Sequence, residues 1–214
     1  MGKDEMKVVV FSCDSYSWLI PIFLHFYERY WPDNPYKTEF VTETKKIDGV
    51  PIFCTGKIPW ADRAIKYLES LEDETFLLLL EDYVINNTID TKRIKVAESL
   101  CRGDIGCVRV CQHHKGLRKL LVDAKIEGFK EYPLNRRYSV SLESAIWQKE
   151  FFLEFLQRGE NIWQTEDNGS IRVQKSKKKV IWADVPIITH CRPGGYIKKG
   201  RIYKRVEEWV KENW

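Results

Sequence analysis

Two short stretches of the chain, Lys7–Ser12 (KVVVFS) and Thr75–Leu80 (TFLLLL), carry runs of apolar residues without alternation. Such runs are far too short to span a membrane and suit strands buried on both faces of a largely parallel sheet. Between them, Trp18, Ile22, Phe26 and Tyr30, with Leu19 and Phe23, recur at helical spacing. Pro21 is compatible with that helix because it falls in the first turn. Trp31-Pro32-Asp33-Asn34-Pro35 stops it, and Thr38–Thr42 (TEFVT) follows as a strand ending at Glu43. A strand–helix–strand opening predicts a parallel sheet with a right-handed crossover, hence an α/β fold.

Gly49–Pro59 reads as loop plus a short strand. Trp60, Ala64, Tyr67, Leu68 and Leu71 define a helix that runs into the Thr75–Leu80 strand, and Ile89–Leu100 predicts another helix. Gly106–Val110, with Arg109 inside it, reads as a strand, Tyr138–Ile146 as extended, and Glu150–Leu156 as a short helix stopped by Gly159. Gly159–Ser170 (GENIWQTEDNGS) is turn-rich and predicts a loop holding Trp163, Glu166 and Asp167. Val180–Trp182 and Ile187–Thr189 read as strands, the second ending at His190, and Tyr203–Trp214 as an amphipathic helix.

With 214 residues, 43% of them apolar, the chain is long enough for one filled core and is expected to form a single domain, residues 1–214. The eight tryptophans are either core or platforms for sugars and bases. A net charge of +4 excludes a strongly electrostatic nucleic-acid binder, so no nucleic-acid partner is expected. Lys175–Lys179 and Lys198–Arg205 are locally basic, which fits a solvated face, phosphates or an anionic membrane surface. The six cysteines contain no CxxC pair, and the polar start shows no signal peptide. Reduced thiols in a cytoplasmic protein are therefore expected over a disulfide framework, with peripheral membrane contact left open along with oligomeric state. His113-His114 are adjacent in a charged loop, and because two adjacent histidines usually point opposite ways they are given no metal role.

The candidate chemistry lies where the strands end. Thr75–Leu80 stops at Glu81-Asp82, two acids at the carboxyl end of a buried strand. That is where open α/β sheets bind ligands, and buried acids there require positive charge. Either the pair is an acidic turn, or it holds a hard cation, Mn2+ or Mg2+, carrying phosphate oxygens. Arg63, in the first turn of its helix, gains nothing from the dipole there, so it either meets an anion or forms a surface ion pair.

Several blocks together resemble the GT-A-type glycosyltransferases, nucleotide-sugar-dependent enzymes built on one Rossmann-like domain. They are Ser12-Cys13-Asp14-Ser15-Tyr16, Tyr30-Trp31-Pro32-Asp33, Trp60-Ala61-Asp62-Arg63 followed by Leu77–Tyr83, Ser141–Trp147, and Gly159-Glu160-Asn161 through Gly169-Ser170. The resemblance spans most of the chain; Glu81-Asp82-Tyr83 departs from the family's Asp-x-Asp metal motif. It implies a mostly parallel central sheet flanked by helices, with residues 1–100 binding the nucleotide sugar and 101–214 supplying the acceptor side and a closing segment. It implies a nucleotide-diphospho-sugar donor and a glycan or lipid-linked acceptor. Ser12, Asp14, Glu43, Arg63, Glu81 and Asp82 would then serve the donor and its cation. Asp82 and His190 would be metal ligands, and Trp163, Trp147, Arg109 and Lys199 substrate contacts. Glu166, with Asp167 as the alternative, would be the base, and a single base implies direct displacement with inversion. Two rivals remain: a nucleotidyltransferase, which normally wants a glycine-rich loop that Ser12–Ser17 lacks, and a non-catalytic carbohydrate- or nucleotide-binding module.

Overall fold

The computed structural model describes residues 6–112, 116–136, 138–191, 195–198 and 200–214; His113-His114, Arg192-Pro193-Gly194 and Lys199 lie outside them. The apolar runs form the paired centre of the sheet, β1 (Lys7–Phe11) and β4 (Thr75–Leu80), with Val8 opposite Leu77 and Val10 opposite Leu79. Side chains alternate between the two faces even though all are apolar. Val8, Val10, Leu77 and Leu79 join one core cluster, and Val9, Phe11, Phe76 and Leu78 join the other. Both faces must therefore be covered by helices.

The chain builds outward from β1 through α1 (Ile20–Tyr30), β2 (Thr38–Thr42) and β3 (Ile52–Cys54). It then returns through α2 (Trp60–Ser70) to β4, on the opposite side of β1. That reversal opens a crevice at the carboxyl ends of β1 and β4. Beyond β4 come α3 (Thr91–Leu100), β5 (Ile105–Arg109), β6 (Val122–Ile126), β7 (Phe129–Tyr132), β8 (Ala145–Gln148), α4 (Lys149–Phe155), α5 (Ile162–Arg172) and β9 (Lys179–Ala183). The nine strands lie in the order β3-β2-β1-β4-β8-β5-β9-β7-β6. All run one way except β8, antiparallel to β4 and β5, and β7, antiparallel to β9 and β6. α1 and α3 contribute to the first core cluster; α2 and α4 contribute to the second, with α5 packed against it. A two-stranded hairpin of β10 (Ile197–Lys198) and β11 (Arg201–Ile202) precedes α6 (Lys204–Asn213), whose Val206 and Val210 pack with Phe26 of α1. No helix among the described residues is long and apolar enough to cross a membrane.

Three expectations change. Trp18 lies in a 3-10 turn, Ser17–Leu19, that precedes α1. Ile187–Thr189 forms no strand: the Ile187 and Ile188 amides both donate to the Val110 carbonyl, and only an isolated bridge joins Ile85 to His190. Gly159–Ser170 is largely helix, because Asn161 caps α5 with a capping box in which its side chain accepts from the Gln164 amide and Gln164 answers on the Asn161 amide.

Gly106 allows α4 to lie against β5, since a Cβ there would stand 2.4 Å from Phe151 Cδ1 and 3.0 Å from Lys178 Cβ. Gly106→Ala should therefore destabilise the protein by about 1–3 kcal/mol through overpacking. Urea unfolding should show a lower midpoint at unchanged slope, and an unmoved midpoint would mean that α4 shifts freely.

Candidate functional site

The floor of the crevice is made by the carboxyl ends of the strands, where the Val41 carbonyl accepts from the Ser12 amide at 2.9 Å. Arg63, in the first turn of α2 and 2% exposed, supplies further donors. Its guanidinium donates to Thr55 Oγ1 at 3.1 Å, to the Val41 carbonyl at 3.1 Å and to the Ser12 carbonyl. It thus ties together the ends of β1, β2 and the turn after β3. Burial pulls its pKa below the arginine norm, while the nearby Glu43, Cys13, Glu81 and Asp14 act to raise it.

Glu81 and Asp82 follow β4 directly, and Glu81 is only 6% exposed. Burial, and for Glu81 the neighbouring Asp82 charge, push both carboxyls well above the ordinary acid range. The Ser12 hydroxyl bonds Glu81 and the Ile197 amide bonds Asp82, which offsets part of that cost. The closing segment is locked here: the Tyr196 amide donates to the Asp82 carbonyl at 2.5 Å. Gly195 sits at φ +78°, and a Cβ on it would lie 2.2 Å from Asp82 Oδ2, so only glycine fits.

The facing wall is the start of α5. Trp163, in its first turn, is 69% exposed. One turn later the Glu166 Oε1 accepts from the Leu142 amide at 2.8 Å. Burial raises the Glu166 pKa; the Leu142 amide and Arg109 lower it, and Glu143 raises it.

Between floor and wall lies a cavity of about 480 Å³ lined by Ser12, Glu43, Arg63, Glu81, Asp82, Trp163 and Glu166, all anticipated from sequence. It also takes Tyr16, Pro59, Trp60, Tyr83, Asn161 and Ile197, to which the sequence reading gave no site role. Tyr16, Trp60, Tyr83 and Asn161 fall within the blocks that carry the resemblance; Pro59 and Ile197 lie outside them.

The remaining candidates lie elsewhere. The Asp14 carboxylate turns away from the cavity to the loop after β2. Although burial acts to raise its pKa, hydrogen bonds from Thr44 Oγ1 at 2.5 Å and from the Thr44 and Lys45 amides at 2.9 Å hold it at about 2. The Asp14 amide, in turn, holds Glu43 Oε2 at 2.9 Å. His190, 5% exposed, is absent from the lining; its Nε2 pairs with Ser144 Oγ at 3.0 Å and its ring packs on Tyr83 at 5.0 Å. Burial lowers its pKa to about 4. Trp147 is fully buried against Phe151, Phe152 and Phe155 and belongs to the core, where no substrate can stack on it. Arg109, 1% exposed, lies over the Trp182 ring at 3.6 Å rather than at the cavity, which rules out direct substrate contact. Asp167 faces outward from α5.

Among the described residues no group of three or more histidine, cysteine or acidic side chains converges as a metal cage. The Glu81-Asp82 donor set, hard oxygens raised in pKa chiefly by burial, instead suits a cation that takes its remaining ligands from phosphate and water.

No family model and no curated protein matches the chain. Solved structures do. CMP:2-keto-3-deoxy-manno-octonic acid synthetase complexed with CTP is 12% identical at TM-score 0.61, covering 98% of both chains. The mannosyltransferase PcManGT from Pyrobaculum calidifontis, with GDP-Man and Mn2+, is 14% identical at TM-score 0.60, covering 91% of this chain and 58% of that one. GalNAc-T7 with UDP, GalNAc and Mn2+ is 10% identical at TM-score 0.59, covering 100% of this chain and 49% of that one. The chain thus spans about half to three-fifths of the length of these two glycosyltransferases. It has the GT-A, Rossmann-like fold of nucleotide-diphospho-sugar transferases, a fold that a cytidylyl-type synthetase shares.

A pKa raised in the folded state contributes stability below the unfolded carboxylate range and loses it as pH climbs through the raised folded value. Wild-type protein should therefore lose more melting temperature between about pH 5 and about pH 8 than Glu81→Gln, which is neutral throughout. Equal losses in paired thermal melts would show that the acid pair carries no such strain.

Proposed function

We propose that the protein is a glycosyltransferase that moves a sugar from a nucleotide-diphosphate donor to a glycan or lipid-linked acceptor by direct displacement with inversion. The observation that carries this reading is the meeting, in one cavity, of an acid pair at the strand-end crevice, Glu81 buried and Asp82 half-buried, and a separate half-buried carboxylate, Glu166, on the facing wall. The first suits a charged donor and the second an acceptor hydroxyl.

Ser12 and Glu43, at the ends of β1 and β2, would take the nucleoside, and the Glu43 carboxylate is pre-set for it by the Asp14 amide. Glu81 and Asp82 would hold Mn2+ or Mg2+, which when bound neutralises charge on the departing diphosphate. Lys199 is assigned to the closing segment over that phosphate. On the acceptor side Trp163 offers a stacking face at the rim, and Glu166 accepts the acceptor proton. In the displacement the acceptor oxygen forms a bond to the anomeric carbon and its proton passes to Glu166. The anomeric carbon–phosphate oxygen bond breaks, and its electron pair leaves on the diphosphate. Burial keeps the Glu166 pKa above the ordinary glutamate range, which favours proton capture as long as it stays below the working pH. Asp167, turned outward, is the alternative base. The division of labour runs across the sheet, residues 1–100 supplying the donor side and 101–214 the acceptor side.

A nucleotidyltransferase would share the crevice and the cation. The turn Ser12–Ser17 contains neither glycine nor a basic residue, which leaves a triphosphate without its usual cradle, so this reading ranks second.

A panel of nucleotide sugars, with and without Mn2+, tests the donor assignment by thermal shift, since selective binding to the folded state raises the melting temperature by mass action. Asp82→Asn should erase the Mn2+-dependent part of that shift while melting as a folded protein; an undiminished shift would remove Asp82 from the cation site.

Glu166→Gln keeps shape and removes the proton acceptor. Donor affinity by calorimetry should stay near the original value, while transfer to an identified acceptor falls by roughly a hundredfold to ten-thousandfold. Unchanged transfer would exclude Glu166 and direct attention to Asp167→Asn.

A further inference from the structure

Behind Glu166 lies a buried polar cluster that the reaction as described does not use. The Leu142 amide that holds Glu166 belongs to the segment from Tyr138 to Ser144, in which Ser139 through Ser144 are all buried. That segment is pinned to α5 by Ser170, whose Oγ accepts from the Val140 amide at 3.3 Å and donates to the Val140 carbonyl at 3.3 Å. On its sheet side it meets Arg109, at the end of β5. Arg109 Nη1 donates to the Tyr138 carbonyl at 3.3 Å, and Nη2 lies 3.5 Å from Glu143 Oε2. Cys111 Sγ, 3.5 Å away, reaches the same Glu143 oxygen. Tyr138 sits at φ +58°, an uncommon conformation for a non-glycine residue that needs support from its surroundings.

The guanidinium is itself held in place. It lies 3.6 Å over the Trp182 ring, and Trp182 Nε1 is fixed on the Cys111 carbonyl at 2.8 Å. A charged group that is 1% exposed is expensive to desolvate, and its Nε has no hydrogen-bond partner among the described residues. A packed apolar side chain would fill this space at lower cost, so holding the fold together is a weak reason for an arginine here. What arginine adds is a rigid fork able to grip two points at once.

We propose that Arg109 and Glu143 are positioning residues for Glu166: one guanidinium brackets the Tyr138–Glu143 segment whose Leu142 amide aims the Glu166 carboxylate into the cavity. This rests on Glu166 being the base. Neither residue touches substrate; they act through Leu142 and through charge. Glu143 disfavours the ionised form of Glu166 and Arg109 favours it, so the pair also tunes its charge state. The other titratable groups around it are the Tyr83 phenol, which senses Glu143, Asp82 and Glu166, the neutral His190, which senses Glu143, and Asp167 on its own helix.

The test compares Glu143→Gln and Arg109→Lys with wild type, each shown to be folded by circular dichroism. Carboxyl carbon-13 resonances give the Glu166 titration directly, assigned by their loss in Glu166→Gln. Glu143→Gln removes the neighbouring negative charge, so the Glu166 titration, and the rise of kcat with pH that follows it, should both move to lower pH. Arg109→Lys keeps the charge and loses the fork. Its kcat should fall about tenfold to a hundredfold, with the donor KM held within about twofold, because only aim is lost. A merely structural pair would change melting temperature and leave both readouts in place. A wild-type titration in Glu143→Gln, together with a wild-type kcat in Arg109→Lys, overturns the proposal. If Arg109→Lys does not fold, the Glu143→Gln titration alone decides. Should the wild type transfer no sugar, the resonance experiment still decides the positioning role, while the functional reading fails separately.

Discussion

An apolar strand that ends in two carboxylates dictates much of what surrounds it. β4 carries Glu81 and Asp82 to the crevice beside β1, where little water reaches Glu81. Among the described residues the one cation on the floor, Arg63, is committed to the carbonyls of Ser12 and Val41 and to Thr55, so it holds the strand ends together without forming a direct ion pair with either acid. The acids are eased by donors from Ser12 and the Ile197 amide, by their own backbone groups and, for Glu81, by the Arg63 charge. Burial still holds both carboxyls above the ordinary acid range.

The facing wall treats its carboxylate differently. Glu166 is also raised by burial, yet it keeps a backbone donor and a distant guanidinium that pull the other way. Four acids in one cavity thus have separate environments: Glu81 and Asp82 are raised chiefly by burial, Glu43 accepts from the Asp14 amide, and Glu166 accepts from the Leu142 amide. Environments that set carboxylates apart in this way are how one site assigns different tasks to the same functional group.

Much of this was legible in the chain because burial on both faces leaves an unbroken apolar signature. Thr38–Thr42 and Thr75–Leu80 appear as strands with the limits the pattern predicts, and the acids at their ends follow at once. The β6–β7 hairpin was not read: VDAKI alternates over only five residues, and FKEY sets two charged residues side by side on a half-exposed edge. Ile187–Thr189 looked like a strand from composition alone, but its amides satisfy themselves on Val110. Trp147 and Arg109 show the limit of residue-type reasoning. Tryptophan is common in cores and in sugar sites, and arginine suits anions and aromatic faces alike; only burial, invisible in one sequence, separates the cases.

α5 is the most instructive case, because what concealed it is what it does. A helix that only covers a core shows an apolar stripe, and α5 instead buries Thr165, Gly169 and Ser170. Gly169 brings it against α4, since a Cβ there would lie 2.7 Å from Phe155 Cδ2. Ser170, one turn after Glu166, stitches it to Val140, as Glu166 reaches Leu142. Small polar residues thus replace the apolar stripe so that the helix can approach closely and turn an acid toward the cavity, while Trp163 stays in solvent at the mouth. Composition reads such a segment as a turn, and only the cap pair Asn161 and Gln164 betrays a helix start. Where a helix carries chemistry on the face that would ordinarily bury, weak amphipathicity is the expected signature rather than evidence against it.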